Sequence, residues 1–244
     1  MVTLNPNQGP TSGGNNVVLT GTNFTGATSV KFGSKSASFV VDSATQITAV
    51  APSGYSAVQV TVTTPSGTSI PVYYYYIEPP IKQSLSVTTG PLGGIATTLT
   101  GSHLTTASSM SFGANTAVPT VVNDTTLNVL VPAVTTPQTV AVSVTTRGGT
   151  TNGLTFTYVG APTVTSMSPT IGPDYGGTAS TITGTHLSDV TDVSYGPDST
   201  SYTIIDDSTI IAYSPGGTGT VTVTVSSAGG SDSSQSFTYS TTPG

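Results

Sequence analysis

His103 and His186 are the only histidines in the chain, and with abundant Ser and Asp they could supply the general base of a Ser-His-Asp triad. They stand in near-copies of one motif, "TGSHLT" and "TGTHLS", whose first copy in the chain, "TGTNFT", has Asn23 in the same place. A position that accepts Asn in one copy reads as a structural turn, so no catalytic residue is assigned. Asp189 with Asp192, or Asp206 with Asp207, could offer carboxylates to Ca²⁺. Neither pair has the spacing of an oxygen-rich binding loop. They read as a solvated acidic surface, and neither a metal nor a cofactor is assigned.

The stretch "VYYYYIE", Val72 to Glu78, holds four consecutive tyrosines. On a strand, side chains alternate between faces. Tyr74 and Tyr76 match Phe156/Tyr158 and Phe237/Tyr239 in the other copies, which makes them core and turns Tyr73 and Tyr75 outward. The favoured expectation covers that outward pair by packing against the second repeat. The sharper one leaves Tyr73 and Tyr75 free to stack on sugar rings or anchor a protein partner. Lys31, Lys35 and Lys82 could enter a Lys–Asn isopeptide bond only from the core, yet Lys31 alternates outward and the other two fall in a turn and near a linker. Asn23-Phe24-Thr25 and Asn123-Asp124-Thr125 fit the glycosylation sequon, as chance allows in so Thr-rich a chain.

Composition narrows the classes further. Only 6% of the 244 residues are charged, Cys is absent, and 28 Gly and 17 Pro punctuate segments rich in Val and Thr. β-branched residues suit a pleated surface, and no window keeps a 3.6-residue apolar period, so the chain reads as all-β. No apolar run is long enough to span a bilayer as a helix. The opening "MVTLNPNQGP" lacks the basic and apolar regions of a signal peptide. It reads as a mature form, or as a chain that leaves the cell by lysis or a dedicated exporter. The net charge is −6, with residues 1–80 at zero, 81–162 at +1 and the remainder at −7. Scattered cations cannot neutralise phosphates, which opposes nucleic-acid binding and anionic membranes.

The elements that position these residues come from a repeat. "LTGTNFTGATSVKFG" from Leu19 returns as "LTGSHLTTASSMSFG" from Leu99 and "ITGTHLSDVTDVSYG" from Ile182, at offsets of 80 and 163. The same offsets carry Gly13-Gly14, Gly33, Ile47 and Pro52 to their counterparts. A repeat of about 80 residues means homologous domains in tandem. Each copy reads as about seven short strands; in the first they lie near 3–4, 17–20, 29–32, 37–41, 46–51, 58–64 and 68–76. "VQVTVTT", "VAVSVTT" and "VTVTVSS" alternate strictly, so one face is buried and the other solvated, as in an antiparallel sandwich. "PSG", "RGG" and "AGG" then supply hairpin turns. Gly21, Gly101 and Gly184 are expected where a sheet ends and the backbone bends, with Phe24, Leu104 and Leu187 plugging the core below.

The opening "NPNQGPTSGG", then "LTGTNF", "VKFG", "TQITAVAP" and "YYYYI", with "SPTIGPDYGG", "ITGTHL", "VSYG", "STIIAYSP" and "FTYS" in the third copy, resemble the IPT/TIG family of immunoglobulin-like domains. The second copy departs from it at Ser86, where the others have Pro6 and Pro169. The resemblance implies three tandem antiparallel β-sandwiches, 1–78, 79–160 and 161–244, in an elongated rod joined at "YIEPPI" and "YVGAPTV". Domains of this family serve as spacers, adhesive modules and assembly surfaces. The expected function is therefore a non-enzymatic structural subunit of a bacterial extracellular or particle-surface assembly, a filament or adhesive layer. Its partner would be itself or another surface protein. A carbohydrate-binding or adhesion module using Tyr73 and Tyr75, with glycans as ligand, and a spacer from a larger surface protein are the alternatives.

Overall fold

A computed structural model describes residues 1–241; the last three residues of the expected third span, 242–244, lie outside the described residues. The chain is built of strands. In the first repeat they are β1 (Thr3–Asn5), β2 (Gln8–Pro10), β3 (Asn16–Thr20), β4 (Ser29–Phe32), β5 (Lys35–Ser36), β6 (Ser38–Ser43), β7 (Gln46–Val50), β8 (Ala57–Thr64), β9 (Gly67–Thr68) and β10 (Val72–Ile77). One sheet runs β1-β3-β7-β6 and the other β2-β10-β8-β4-β5, with β9 paired to β8. The same two orders recur in the strands of residues 81–159 and 163–240, so the fold is three immunoglobulin-like sheet pairs in tandem.

By compactness the chain divides into two units, residues 1–86 with 97–129 and 141–154, and the rest. In the first unit, alternation buries Val17 and Leu19 of β3 and Ile47 and Ala49 of β7 in one core with Val30, Phe32, Val60, Val62 and Tyr74. Tyr74 meets Phe32 edge-to-face, 5.1 Å between ring centres. In the second unit Ile182, Leu187, Val193, Tyr195, Ile210, Val223, Val225 and Phe237 repeat the arrangement. Phe24, Leu104 and Leu187 are all buried, as the motif implied.

Gly21 follows the last residue of β3, where the strand ends as expected, and a Cβ there would fall 2.6 Å from the Phe24 ring; in the other two copies the glycine has a different reason. Gly101 and Gly184 lie inside strands, Ala96–Ser102 and Ala179–Thr185, and a Cβ there would overlap the carbonyl oxygens of Ile81 and Thr163 on the neighbouring strand. Close backbone approach at a bulge, not a turn, requires them. The left-handed residue comes two positions later: Asn23, His103 and His186 have φ of 60°, 58° and 56°. Asn and His enter that region more readily than most side chains.

β2 was not legible in advance. Its sequence, Gln8-Gly9-Pro10, carries no apolar alternation, and it pairs in parallel with β10, the last strand of the same repeat. Where Pro6 and Pro169 follow cis peptide bonds, Ser86 instead exchanges hydrogen bonds with Thr98, its N–H to the carbonyl and its Oγ from the Thr98 N–H, both 2.9 Å. The strand Ile81–Leu85 forms without the proline.

One edge strand of each repeat is bulged beside its hairpin turn. β6 carries a bulge between Val41 and Ser43, and its counterparts carry one between Val121 and Asn123 and between Ile204 and Asp206. There the bulge interrupts the ladder and increases the local twist of the edge.

Candidate functional site

The left-handed turn places each histidine ring under a linker. His103 Nδ1 lies 3.1 Å from the Pro79 carbonyl oxygen, and Nε2 lies 3.2 Å from Oε2 of Glu78. His186 Nδ1 lies 3.2 Å from the Ala161 carbonyl oxygen. A Cβ on Gly160 would fall 2.7 Å from the His186 ring, so that glycine admits the imidazole. The turn is held from the other side by a carboxylate. Asp124 accepts from the Thr105 hydroxyl at 2.7 Å and from the His103 N–H at 3.1 Å. Asp207 accepts from the hydroxyl and N–H of Ser188. The Thr105 hydroxyl first, then the His103 N–H, holds Asp124 below the usual carboxylate range. The Ser188 hydroxyl and N–H do the same for Asp207.

A hairpin completes each junction. A Cβ at Gly148 would overlap the Glu78 carbonyl oxygen, and one at Gly229 the Gly160 carbonyl oxygen. The middle residues of "RGG" and "AGG" are therefore glycine because a linker crosses them; the first copy has Ser66 there. Sequence reasoning read these triplets as turns only. The available signal was that Ser66 and Asn23 depart together from glycine and histidine in the same copy.

Both histidines, at the repeat position of Asn23, thus contact the linker that precedes their own repeat. Two further carboxylates accept hydrogen bonds from their own chain. Asp206 accepts from the N–H and hydroxyl of Ser208 at 2.8 and 2.7 Å, and Asp232 accepts from the Val164 N–H at 2.9 Å. Lys31 is exposed on β4, Lys35 Nζ donates to the Ser53 carbonyl at 2.7 Å, and Lys82 Nζ donates to Thr151 at 3.3 Å.

Tyr73 and Tyr75 lie on the outer face of β10, 53% and 45% exposed, while Tyr74 and Tyr76 are buried. The parity reading places them correctly. The cover expected from the second repeat does not bury them, and both residues stay about half exposed.

Comparison with known proteins places the architecture. The family model of the IPT/TIG domain matches residues 1–76, 80–158 and 162–240. No curated protein sequence matches the chain. Among solved structures, the extracellular region of plexin A4 is similar at 21% identity over 88% of this chain and 21% of that one, TM-score 0.47. The chain thus spans about a fifth of that plexin. A Bacteroides ovatus SGBP-B from a mixed-linkage glucan utilization locus, in complex with a heptasaccharide, is similar at 15% identity over 96% and 65% of the two chains, TM-score 0.32. The Escherichia coli adhesin FdeC is similar at 12% identity over 99% and 96%, TM-score 0.35.

Proposed function

The chain belongs to the IPT/TIG family, three domains of it in tandem, and from that premise we propose that it is a non-enzymatic structural protein, a subunit of an extracellular or particle-surface assembly. One observation carries the reading: the residues best able to do chemistry are engaged in joining one repeat to the next. His103 and His186 hold linker carbonyls, and Asp124 and Asp207 hold the turns that present them. A general base needs a free ring nitrogen aimed at a substrate proton. Both ring nitrogens of His103 instead face acceptors of its own chain.

The partner in this reading is a further copy of the chain or another surface protein. The charge distribution supports it, since a third repeat at −7 complements first and second repeats at zero and +1. A spacer within a longer surface protein uses the same features and differs only in forming no assembly of its own.

Negative-stain electron microscopy of the purified chain over a concentration series tests this. Ordered filaments, rings or sheets are expected; separate particles at every concentration would overturn the assembly and leave the spacer. A hydrolytic or transfer activity lost in His103→Ala combined with His186→Ala, in a variant that still folds, would overturn the non-enzymatic reading.

A further inference from the structure

The outer face around Tyr73 and Tyr75 differs from the same face of the other two repeats in a concerted way. At the positions of Tyr73 and Tyr75 the second repeat has Thr155 and Thr157, and the third has Ser236 and Thr238. Thr157 hydrogen-bonds across the sheet to Thr139 at 3.0 Å, and Thr238 to Thr220 at 2.9 Å. These hydroxyl pairs close their faces. In the first repeat the residue opposite Tyr75 is Ala57, the counterpart of Thr139 and Thr220. A large ring thus replaces threonine exactly where its cross-strand neighbour shrinks to a methyl, which leaves the flank of the ring open.

The surroundings are amides and hydroxyls. Gln59 stands opposite Tyr73, and Gln8 stands beside Tyr75 on the parallel neighbour β2. Thr61 and Lys31, paired across β8 and β4, continue the face and bring its one charge. Residues two apart on a strand stand about 7 Å from each other, so the two tyrosines belong to one patch. Each glutamine offers both donors and an acceptor. Rings with an apolar body, amides on two sides and little charge complement a ligand with apolar C–H faces and many neutral hydroxyls. Ionic partners find a single cation here, and the net charge of −6 opposes polyanions.

We propose that the outer face of the first repeat is a binding site for a neutral polysaccharide, with Tyr73 and Tyr75 stacking on sugar rings and Gln8 and Gln59 bonding their hydroxyls. The site is independent of whether the chain assembles.

Native affinity electrophoresis of the full chain in gels containing soluble glucan, mannan, galactan or xylan tests it, with alginate as the charged polymer. At least one neutral polymer should retard the chain. Tyr73→Thr with Tyr75→Thr, which installs the residues used by the second repeat, should raise the dissociation constant at least tenfold with the thermal transition unchanged. Ala57→Thr, which keeps both tyrosines but fills the flank of Tyr75, should weaken retardation severalfold. No retardation by any neutral polymer, retardation by alginate alone, or equal retardation of the double variant would each overturn the proposal. Altered sedimentation of the double variant without polysaccharide binding would also overturn it, giving the face to a protein partner.

Discussion

At the scale of single residues, the left-handed turn shows how one backbone requirement is reused for different ends. Asn23, His103 and His186 share a φ near +60°, and at the two histidines the turn also presents a ring to a linker carbonyl. The carboxylates that brace those turns make the fold sensitive to acid. Asp124 and Asp207 are held below the ordinary carboxylate range by hydroxyl and N–H donors that exist only in the folded chain. Their contribution to stability is complete above the unfolded carboxylate pKa of about 4 and is lost as pH falls through the lower folded values. The midpoint of thermal unfolding should therefore fall on acidification below pH about 4. In Asp124→Asn with Asp207→Asn the midpoint should be lower at neutral pH and fall less steeply with acid. Phe24 and Leu104 sit on the core side of the same motif, 2% and 0% exposed. Phe24→Ala should cost about 3–5 kcal/mol in denaturant unfolding, because it removes a buried ring from the first core. The outward Tyr73 and Tyr75 were legible at this scale, since strand parity alone decides which of four tyrosines is core. The linker contacts of His103 and His186 were not, because they depend on where residues some 25 positions away cross.

At the scale of elements, most strands could be read from alternation, whereas what sits at their margins could not. β8 announces itself by Val58, Val60 and Val62, but β2 is defined only by its parallel partner β10. Likewise "RGG" and "AGG" look like ordinary hairpin turns, and only the crossing linker explains their first glycine. Gly148→Ala should push the Glu78 carbonyl away and expose the linker. Amide exchange at residues 77–82 should then quicken by tenfold or more, with exchange in the core of the first sandwich unchanged. The edge bulges support an argument about what the strands avoid. All three copies of β6 place one unpaired residue, Asp42, Val122 or Ile205, at the bulge, and Val122 and Ile205 are more than half exposed. Deleting Val122 would make the pairing of Val121 with Leu127 and Asn123 with Thr126 continuous, restoring a flat edge ladder. That variant should scatter light increasingly with concentration where the parent stays clear.

At the scale of the whole molecule, the repeat and the all-β class follow directly from composition and register, because each copy restates the same buried positions. The uneven charge was equally legible, but how the protein holds its protons was not, since that depends on which hydroxyl or N–H each carboxylate meets. Of the ten Asp and Glu residues, Asp124, Asp206, Asp207 and Asp232 all have their pKa lowered by folding. The causes are the donors of Thr105, Ser208, Ser188 and, for Asp232, Ser234 and the Val164 N–H, which outweigh a burial effect of opposite sign. A carboxyl with a lowered pKa keeps its negative charge at a pH where the unfolded chain has partly neutralised it. The folded protein is therefore more negative around pH 4 than its composition implies, and its isoelectric point should lie below the sequence value of about 4.3. Isoelectric focusing in native gels and in urea measures the difference directly, because urea returns each carboxyl to its ordinary range. A native band on the acidic side of the urea band is expected, and Asp206→Ala with Asp207→Ala should narrow the gap. Three of the four carboxyls lie in the third repeat, so acid should leave that repeat anionic longest. The electrostatic complementarity proposed for assembly would then persist to lower pH than a composition-based titration predicts.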